Sequence, residues 1–542
     1  MGAIAIVLLM LLAVSVSSLA ARATGWPAPL VQIALGAAIG FLGLPAIALE
    51  PEHFFLLFLP PLLFLDGWRI PKDALLQDAA TVLRLALGLV LFTVLGMGLF
   101  MHWLLPGMPL PVAFALAAVL SPTDPIAVSS VASRTPVPPR VMHILEGESL
   151  LNDASGLVCM RFAVAAALTG SFSLPQALLS FVGLALGGVA VGAALAWGVS
   201  WLGRRAVRWL APDAGNYVLV TLLLPFGAYL LAEEVHASGV LAAVAAGITM
   251  GLVAQPHGHG GGRLRRTAVW DMVQLVANGS VFVLLGQQLP PIVAGAARTV
   301  RDTGHQSPAW LVPYVLAIVA GLALLRLAWV WVSLRLQGWR ARRRGEAAPQ
   351  LSGRLLLVVS LAGVRGAVTL AGVMTLPLAL PGGAPFPARD LAIALAAGVI
   401  LMSLLLANFA LPRLLRGLEP QGDDAERAIE DRVRRTAARA ALRAIESAHA
   451  SLAAQLPDPA LAAEAADRLA THYRLRMDSL RADPDDEVRR GQVEAIERRL
   501  RLAALRAERE AIEHCGRDFG LSELARRRLL HELDLLEARY GG

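Results

Sequence analysis

The sequence predicts an all-α polytopic membrane protein with about thirteen spans and a cytosolic helical tail. Three observations predict it. Hydrophobic residues fill 56% of the 542 positions and charged residues only 16%, with a mean hydropathy of +0.60; a soluble core of this length would not be so apolar. The apolar residues fall into separate runs of roughly the ~20 residues that one helical crossing needs. Basic residues gather in alternate loops between those runs, as loops on the cytoplasmic side do.

Taken in order, the runs cover approximately 3–21, 28–48, 53–68, 81–105, 110–133, 144–170, 176–202, 215–233, 236–254, 268–289, 309–336, 353–380 and 388–414. The first has no basic residue before it, which favours a retained span with the N-terminus outside over a cleaved leader. The basic side carries Arg22, Arg69, Lys72, Arg134, Arg140, Arg204, Arg205, Arg208, Arg263, Arg265, Arg266, Arg340, Arg342, Arg343, Arg344, Arg413 and Arg416. The opposite side has little beyond Arg298, Arg301 and Arg389. That asymmetry places the C-terminus in the cytoplasm of a cell (inner) membrane protein. The net charge of +7 therefore reports orientation, and nucleic acid is not an expected partner. Two cysteines, Cys159 and Cys515, exclude a disulfide scaffold. His257 and His259 read as part of a flexible cytoplasmic linker. The seventh run, GLALGGVAVGAALAWG, reads as a packing helix, since small residues allow close approach.

Two domains follow: 1–416, which crosses the membrane, and 417–542, where composition shifts to Ala, Arg, Glu and Leu. Periodic apolar residues in VEAIERRLRLAALRAEREAIEH suggest amphipathic helices there. A solvated face, a regulatory role and a dimer contact all suit that tail equally.

The chemistry centres on LEGESLLNDASG, 145–156. At helical spacing Glu148, Ser149, Asn152 and Asp153 form one polar stripe. Intramembrane ionisable residues cost roughly 2.5–3.5 kcal/mol each on insertion scales, so they usually face a cavity and mark an ion path. A helix whose acids sit in water at the membrane mouth explains Glu146 well and Asp153 poorly. In the fifth run, Pro122 and Pro125 bracket Thr123 and Asp124. Two prolines three apart remove two donors and disfavour helix before them, so a helix broken at membrane depth is expected. A proline-kinked packing helix with a capping aspartate is the alternative, but a lone kink needs no carboxylate in lipid. Transporters use such breaks to hold ions near the midplane. Asp124 suits the positive end of a half-helix.

In the third run, Pro60 and Pro61 are expected to interrupt the helix, which must then be packed among others. Asp66 near its end either faces the ion path or pairs with Arg69. Arg326 lies deep in the eleventh run and needs an acid partner, for which Glu148 is the best candidate. Arg161 is expected to pair within the bundle. Glu233, Glu234 and His236 form either an entry funnel or a plain polar turn. Arg365 lies between Gly363 and Gly366, where a second break mirrors the first. Two interrupted spans in corresponding halves point to inverted repeats and a midplane site.

Together, LSPTDPIAV, LEGESLLNDASGLV, LLAEEVHASGVLAAVAAG and GVRGAVTLA resemble the bacterial branch of the monovalent cation/proton antiporters of family one, the sodium/proton exchangers. The resemblance spans about residues 1–415. It implies two inverted six-helix repeats with crossed broken helices, and a homodimer. It also implies Asp153 as the ion-carrying aspartate preceded by Asn152, Thr123 and Asp124 as the broken-helix pair, and Glu148 with Arg326 as a buried ion pair. Ser149 and Asp66 match positions implicated in cation coordination. Sodium is a hard cation that prefers oxygen ligands, which Asp153, Asp124, Ser149 and the Thr123 carbonyl supply. Burial disfavours the charged form of a carboxylate, so Asp153 can hold a proton or a cation, not both. With Asn152 in place of a second acid, the cycle is expected to be electroneutral. No cofactor is expected beyond the transported Na+, K+ or Li+ and H+. An intramembrane aspartyl protease also needs two acids on facing helices, and a cation channel needs a polar path. The protease would not need the arginine counter-charges.

Overall fold

The computed structural model describes residues 3–42, 51–69, 79–124, 139–170, 174–206, 214–253, 260–301, 308–344, 353–415, 423–453, 459–478, 484–518 and short pieces beyond 524. The chain forms two compact units, Met1–Glu419 and Pro420–Gly542. Among the described residues there are seventeen α-helices and no β-strand beyond one isolated bridge, Ala379 to Pro385.

The first unit holds α1 (Ala3–Thr24), α2 (Ala28–Phe41), α3 (Pro51–Arg69), α4 (Ala79–Leu104), α5 (Leu110–Leu120), α6 (Pro139–Thr169) and α7 (Leu174–Ala206). It continues with α8 (Ala214–Glu234), α9 (Gly239–Val253), α10 (Gly260–Arg301), α11 (Leu311–Arg344), α12 (Gly353–Leu361), α13 (Ala367–Met374) and α14 (Arg389–Leu415). Seven of these contain stretches long and apolar enough to cross a membrane: Val7–Thr24, Leu87–Leu104, Leu179–Arg205, Gly215–Glu234, Arg266–Ile292, Leu311–Ser333 and Arg389–Leu415. Shorter apolar helices lie among them, including Ala28–Phe41, Leu110–Leu120 and Gly239–Val253. Proline marks several starts: Pro27 and Pro109 precede α2 and α5, each with a further proline in the first turn, where the missing N–H has no helical partner to lose.

α5 and α14 lie at the centre. From Val112 to Leu120 the buried residues of α5 have almost no exposed surface, and Leu391 to Ile400 of α14 are nearly as enclosed. By contrast α1 and α7 present Leu8, Leu12, Leu19, Leu179, Leu186 and Trp197 outward, a surface suited to lipid, where only closed backbone structures survive. Pro60 and Pro61 lie inside a continuous α3, contrary to the interruption expected. Leu59, Leu62, Leu63, Phe64 and Leu65 are all buried, and this packing on both sides of the prolines holds the helix through the lost bonds.

Glycines set the closest crossings. On α2, a Cβ at Gly36 would overlap the Val283 carbonyl of α10; in return, one at Gly286 would overlap the Ile33 carbonyl. A Cβ at Gly67 of α3 would lie 2.6 Å from the Val244 carbonyl oxygen of α9, and Gly247 answers it against Phe64. Gly188 and Gly192 seat α7 on α9 against Ser238 and Ala242 in the same way. Lacking a hydrophobic drive in lipid, helices associate through such close contacts.

The second unit holds α15 (Asp423–Ala453), α16 (Pro459–Asp478) and α17 (Pro484–Asp518). Among its described residues, small ones such as Ala438, Ala462 and Ala470 are buried, with Leu533. Glu497 and Arg501 pair four residues apart at 2.5 Å, Glu464 and Arg468 pair at the same spacing in sequence, and Arg509 reaches Glu537 at 2.7 Å. Exposed pairs of this kind contribute little each.

The α2–α10 crossing gives a direct test. Gly36→Leu places side-chain atoms into helix backbone, and overpacking of this kind costs about 1–3 kcal/mol. The detergent-solubilised variant is expected to melt several degrees below the parent in a thermal-shift assay. Gly183→Ala, where nothing lies within 4 Å, is expected to melt with the parent.

Candidate functional site

Inside the first unit one helix ends and another is interrupted, and the two places meet. α5 ends at Leu120 and residues 121–124 leave the helix. Pro122 has no N–H to continue the ladder and disfavours helix in Ser121. Pro125 lies outside the described residues. In the other half, α12 stops at Leu361 and α13 resumes at Ala367, with 362–366 between them. The two breaks are joined through backbone, the Asp124 N–H donating to the Val364 carbonyl at 2.7 Å.

Each break leaves carbonyls without helical donors, and arginines satisfy them. Arg365 Nε donates to the Leu120 carbonyl at 3.0 Å, and its Nη1 donates to the Gly363 carbonyl. Its backbone N–H donates to Ser403 Oγ of α14 at 3.2 Å. From α11, Arg326 Nε donates to the Val359 carbonyl in the last turn of α12 at 2.9 Å. Both arginines are buried. A Cβ at Gly363 would lie 3.1 Å from Arg326 Nη1 and 3.3 Å from Arg365 Nη1, so glycine leaves room for both guanidinium groups. Cations at helix C-termini meet the negative end of the dipole. Asp124 takes the converse place. Its carboxylate lies against Gly366, the N-cap residue just before α13, so close that a Cβ there would overlap it. A carboxylate at a helix N-terminus meets the positive end.

α6 supplies the third side. Ser149, Asn152 and Asp153 are buried, Asn152 completely. Gly156 allows the approach to α5: a Cβ there would lie 2.6 Å from Pro122 Cγ and 2.8 Å from the Ala118 carbonyl oxygen. Across this contact Asn152 Nδ2 donates to Thr123 Oγ1 at 3.1 Å. That leaves Asn152 Oδ1, which accepts no hydrogen bond among the described residues. Asp153 is close enough to Asp124 and Asp66 for their charges to interact. Asp66 is exposed between buried Leu65 and Gly67. Arg69, three residues on, binds Asp271 at 2.5 Å and Gln274 at 2.7 Å.

The Glu148 side chain lies outside the described residues, as do His257 and His259. Arg161 pairs with Glu233 of α8 at 3.1 Å, and Glu233 also accepts from the Gly239 N–H at the start of α9 at 3.3 Å. The intervening turn holds His236 at φ +54°. Cys159 is a half-buried free thiol.

Sequence reasoning missed part of this arrangement. Arg365 reads from sequence as a marker of the break; in the structure it also binds the end of the other broken helix. Asn278 and Ser280 of α10 are buried, and neither Asn278 Oδ1 nor Ser280 Oγ has a hydrogen-bond partner among the described residues. The signal was present as the polar interruption Asn-Gly-Ser in LVANGSVFVLL.

Known proteins combine these features. A family model described as sodium/hydrogen exchanger, transmembrane, matches residues 6–417. The chain is 41% identical over 549 residues to YjcE of Escherichia coli K12, an uncharacterised Na+/H+ exchanger, covering 98% of both proteins. It is 40% identical over 420 residues to a sodium, potassium, lithium and rubidium/H+ antiporter of Bacillus subtilis, covering 76% of this chain and 61% of that one. In fold it is similar to the sodium proton antiporter MjNhaP1 of Methanocaldococcus jannaschii, with a TM-score of 0.57 over 76% of this chain and 97% of that one, at 22% identity. Neither the protease nor the channel reading is favoured by these matches. With crossed helix breaks, a buried Asn-Asp pair and a family match over most of its length, the chain belongs to the sodium/hydrogen exchanger family, whose members are cation/proton antiporters and not enzymes.

Proposed function

We propose that the protein exchanges Na+, and K+ or Li+ with it, for protons at one site built on Asp153, across the inner membrane of the cell. The observation that carries this reading is Asn152 Oδ1, completely buried beside Asp153 and without a donor among the described residues. A buried acceptor without a donor loses its water and gains nothing in return, whereas a cation or a water carried with it satisfies that oxygen. Asp153, Asn152, Ser149 and Thr123 then form an oxygen-rich set of the kind a hard monovalent cation prefers.

Asp124 has a different part in this scheme. Its carboxylate serves the N-terminus of α13 and adds negative potential to the site. Asp66, which is exposed, draws the cation in. Glu148 and Arg326 form a structural ion pair that keeps α6 and α11 together. Asp153 alone exchanges its proton for the cation. One titrating carboxylate moves one proton per cation, so the cycle is electroneutral, and alternating exposure of the single site completes exchange. Loop arginines favour the N-terminus outside and the C-terminus in the cytoplasm, with residues 1–416 as the exchanger domain and 417–542 as a cytosolic tail. The protein works as a homodimer in pH and sodium homeostasis, and needs no cofactor beyond the ions it moves.

Three measurements test this reading. In inverted vesicles under an imposed proton gradient, added NaCl is expected to dequench a pH-sensitive dye, and Asp153→Asn is expected to abolish the response while the protein accumulates normally; exchange near the parent rate in that variant refutes the assignment. In voltage-clamped liposomes the transport rate is expected to be indifferent to membrane potential, and a clear reversal potential rejects the one-to-one stoichiometry. Gly366→Ala pushes the Asp124 carboxylate from its place and is expected to slow exchange on the order of tenfold, equivalent to ~1.4 kcal/mol, with the melting temperature little changed.

A further inference from the structure

Close helix crossings define two groups of helices in the first unit. Gly156 seats α6 on Pro122 and Ala118 of the α5 end, and Leu157 of α6 and Val119 of α5 both approach Gly372 of α13. In the other group Gly67 and Gly247 join α3 to α9, Gly188 and Gly192 join α7 to α9, and Tyr229 of α8 lies on Gly239 of α9. Arg161 of α6 spans the two groups, since its guanidinium binds Glu233 of α8 at 3.1 Å. Glu233 also accepts from the Gly239 N–H at 3.3 Å, which fixes the carboxylate at the start of α9. Depth counted inward from this pair agrees on both sides. Eight residues of helix separate Arg161 from Asp153, a rise of ~12 Å. Eight residues also separate Gly239 from Gly247, which packs on Phe64 and Trp68, the residues two before and two after Asp66. Asp153 and Asp66 are close enough for their charges to interact. Two polar relations therefore cross from one group to the other: Arg161 with Glu233 and, about two turns deeper, Asp153 with Asp66.

We propose that the Arg161–Glu233 ion pair is a latch that closes access to Asp153 from the α8–α9 end and parts in each transport cycle. A site that faces alternate sides of the membrane requires one group of helices to move against another. Here α6 moves with α5 and α13 against α3, α8 and α9, and the ion pair lies across that boundary. Its chemistry suits a latch. Both side chains are partly exposed, so water replaces each partner when the pair opens. A pair of this kind is weak and biases the closed state by no more than about fivefold, which leaves the cycle free to run. In the topology proposed above, the α8–α9 turn is external. The inference rests on the reading of Asp153 as the carrier.

Two experiments test it, both with Asp153 intact. In right-side-out and inverted vesicles, Arg161→Gln and Glu233→Gln are each expected to lower the KM for Na+ about two- to fivefold on the α8–α9 face alone, because the state open to that face is no longer held back. Glu233→Gln keeps an acceptor for Gly239, and Arg161→Lys, which keeps the charge, is expected to stay near the parent KM. An equal change of KM on both faces, or none on either, overturns the proposal. The second experiment uses Arg161→Cys with Glu233→Cys in a chain carrying Cys159→Ser and Cys515→Ser. Bridging the two thiols with a short cleavable linker is expected to stop exchange, and cleavage to restore it. Exchange at the unbridged rate in the bridged protein marks a static contact and overturns the proposal, and this arm decides alone where a charge variant fails to accumulate. Normal exchange in Asp153→Asn would refute the carrier reading, whereas the bridged protein reports separately whether the two helix groups part.

Discussion

The Arg365 side chain holds the two broken helices together, and the rest of the site depends on that crossing. A helix interrupted in a membrane exposes backbone carbonyls that water cannot reach, each costing several kcal/mol if left unmet. Arg365 gives Nε to Leu120 at the end of α5 and Nη1 to Gly363 in the other break. One planar, permanently charged fork thus serves the chain ends of both halves. Its own backbone N–H is met by Ser403 of α14, the most enclosed long helix of the unit. Asp124 to Val364 adds the backbone link in the other direction. Together these contacts allow non-helical chain to persist where lipid would otherwise forbid it.

The same crossing sorts charge by helix polarity. Arg326 and Arg365 meet carbonyls at the ends of α12 and α5. Asp124 sits where α13 begins. Each charge therefore meets the dipole end of opposite sign. Asp153 lies on an unbroken helix beside Asn152, with its polar neighbours drawn from the break at Thr123. Glycine makes that approach possible twice, at Gly156 against Pro122 and at Gly366 against Asp124.

Much of the fold and of the site was legible. Apolar runs marked membrane helices because a span must be long and apolar to enter lipid. Pro122, and the pair Gly363 and Gly366, lie where helix stops, because a missing donor or a missing Cβ leaves a local trace in the chain. Local signals also misled. Pro60 and Pro61 read as a break, yet α3 continues through them, since tertiary packing of Leu59 to Leu65 outweighs two lost bonds. The two readings of Asp66 could not be separated by position, because a carboxylate three residues from an arginine is near it in any helix; the partners of Arg69 proved to be Asp271 and Gln274, some two hundred residues away in sequence.

The sequence by itself determined the membrane class, the identity of the ionisable residues and the helix stops at Pro122 and at Gly363 to Gly366, though not the continuity of α3 through Pro60 and Pro61, since each depends on composition or on the geometry of one peptide unit. Only the tertiary structure decided which end each arginine serves, that Asn152 meets Thr123, that Arg161 meets Glu233, and that the buried Asn278 has an oxygen without a donor among the described residues. Those are relations between helices distant in the chain. Partner choice among buried polar groups depends on the register and depth of packed helices, which no local pattern encodes.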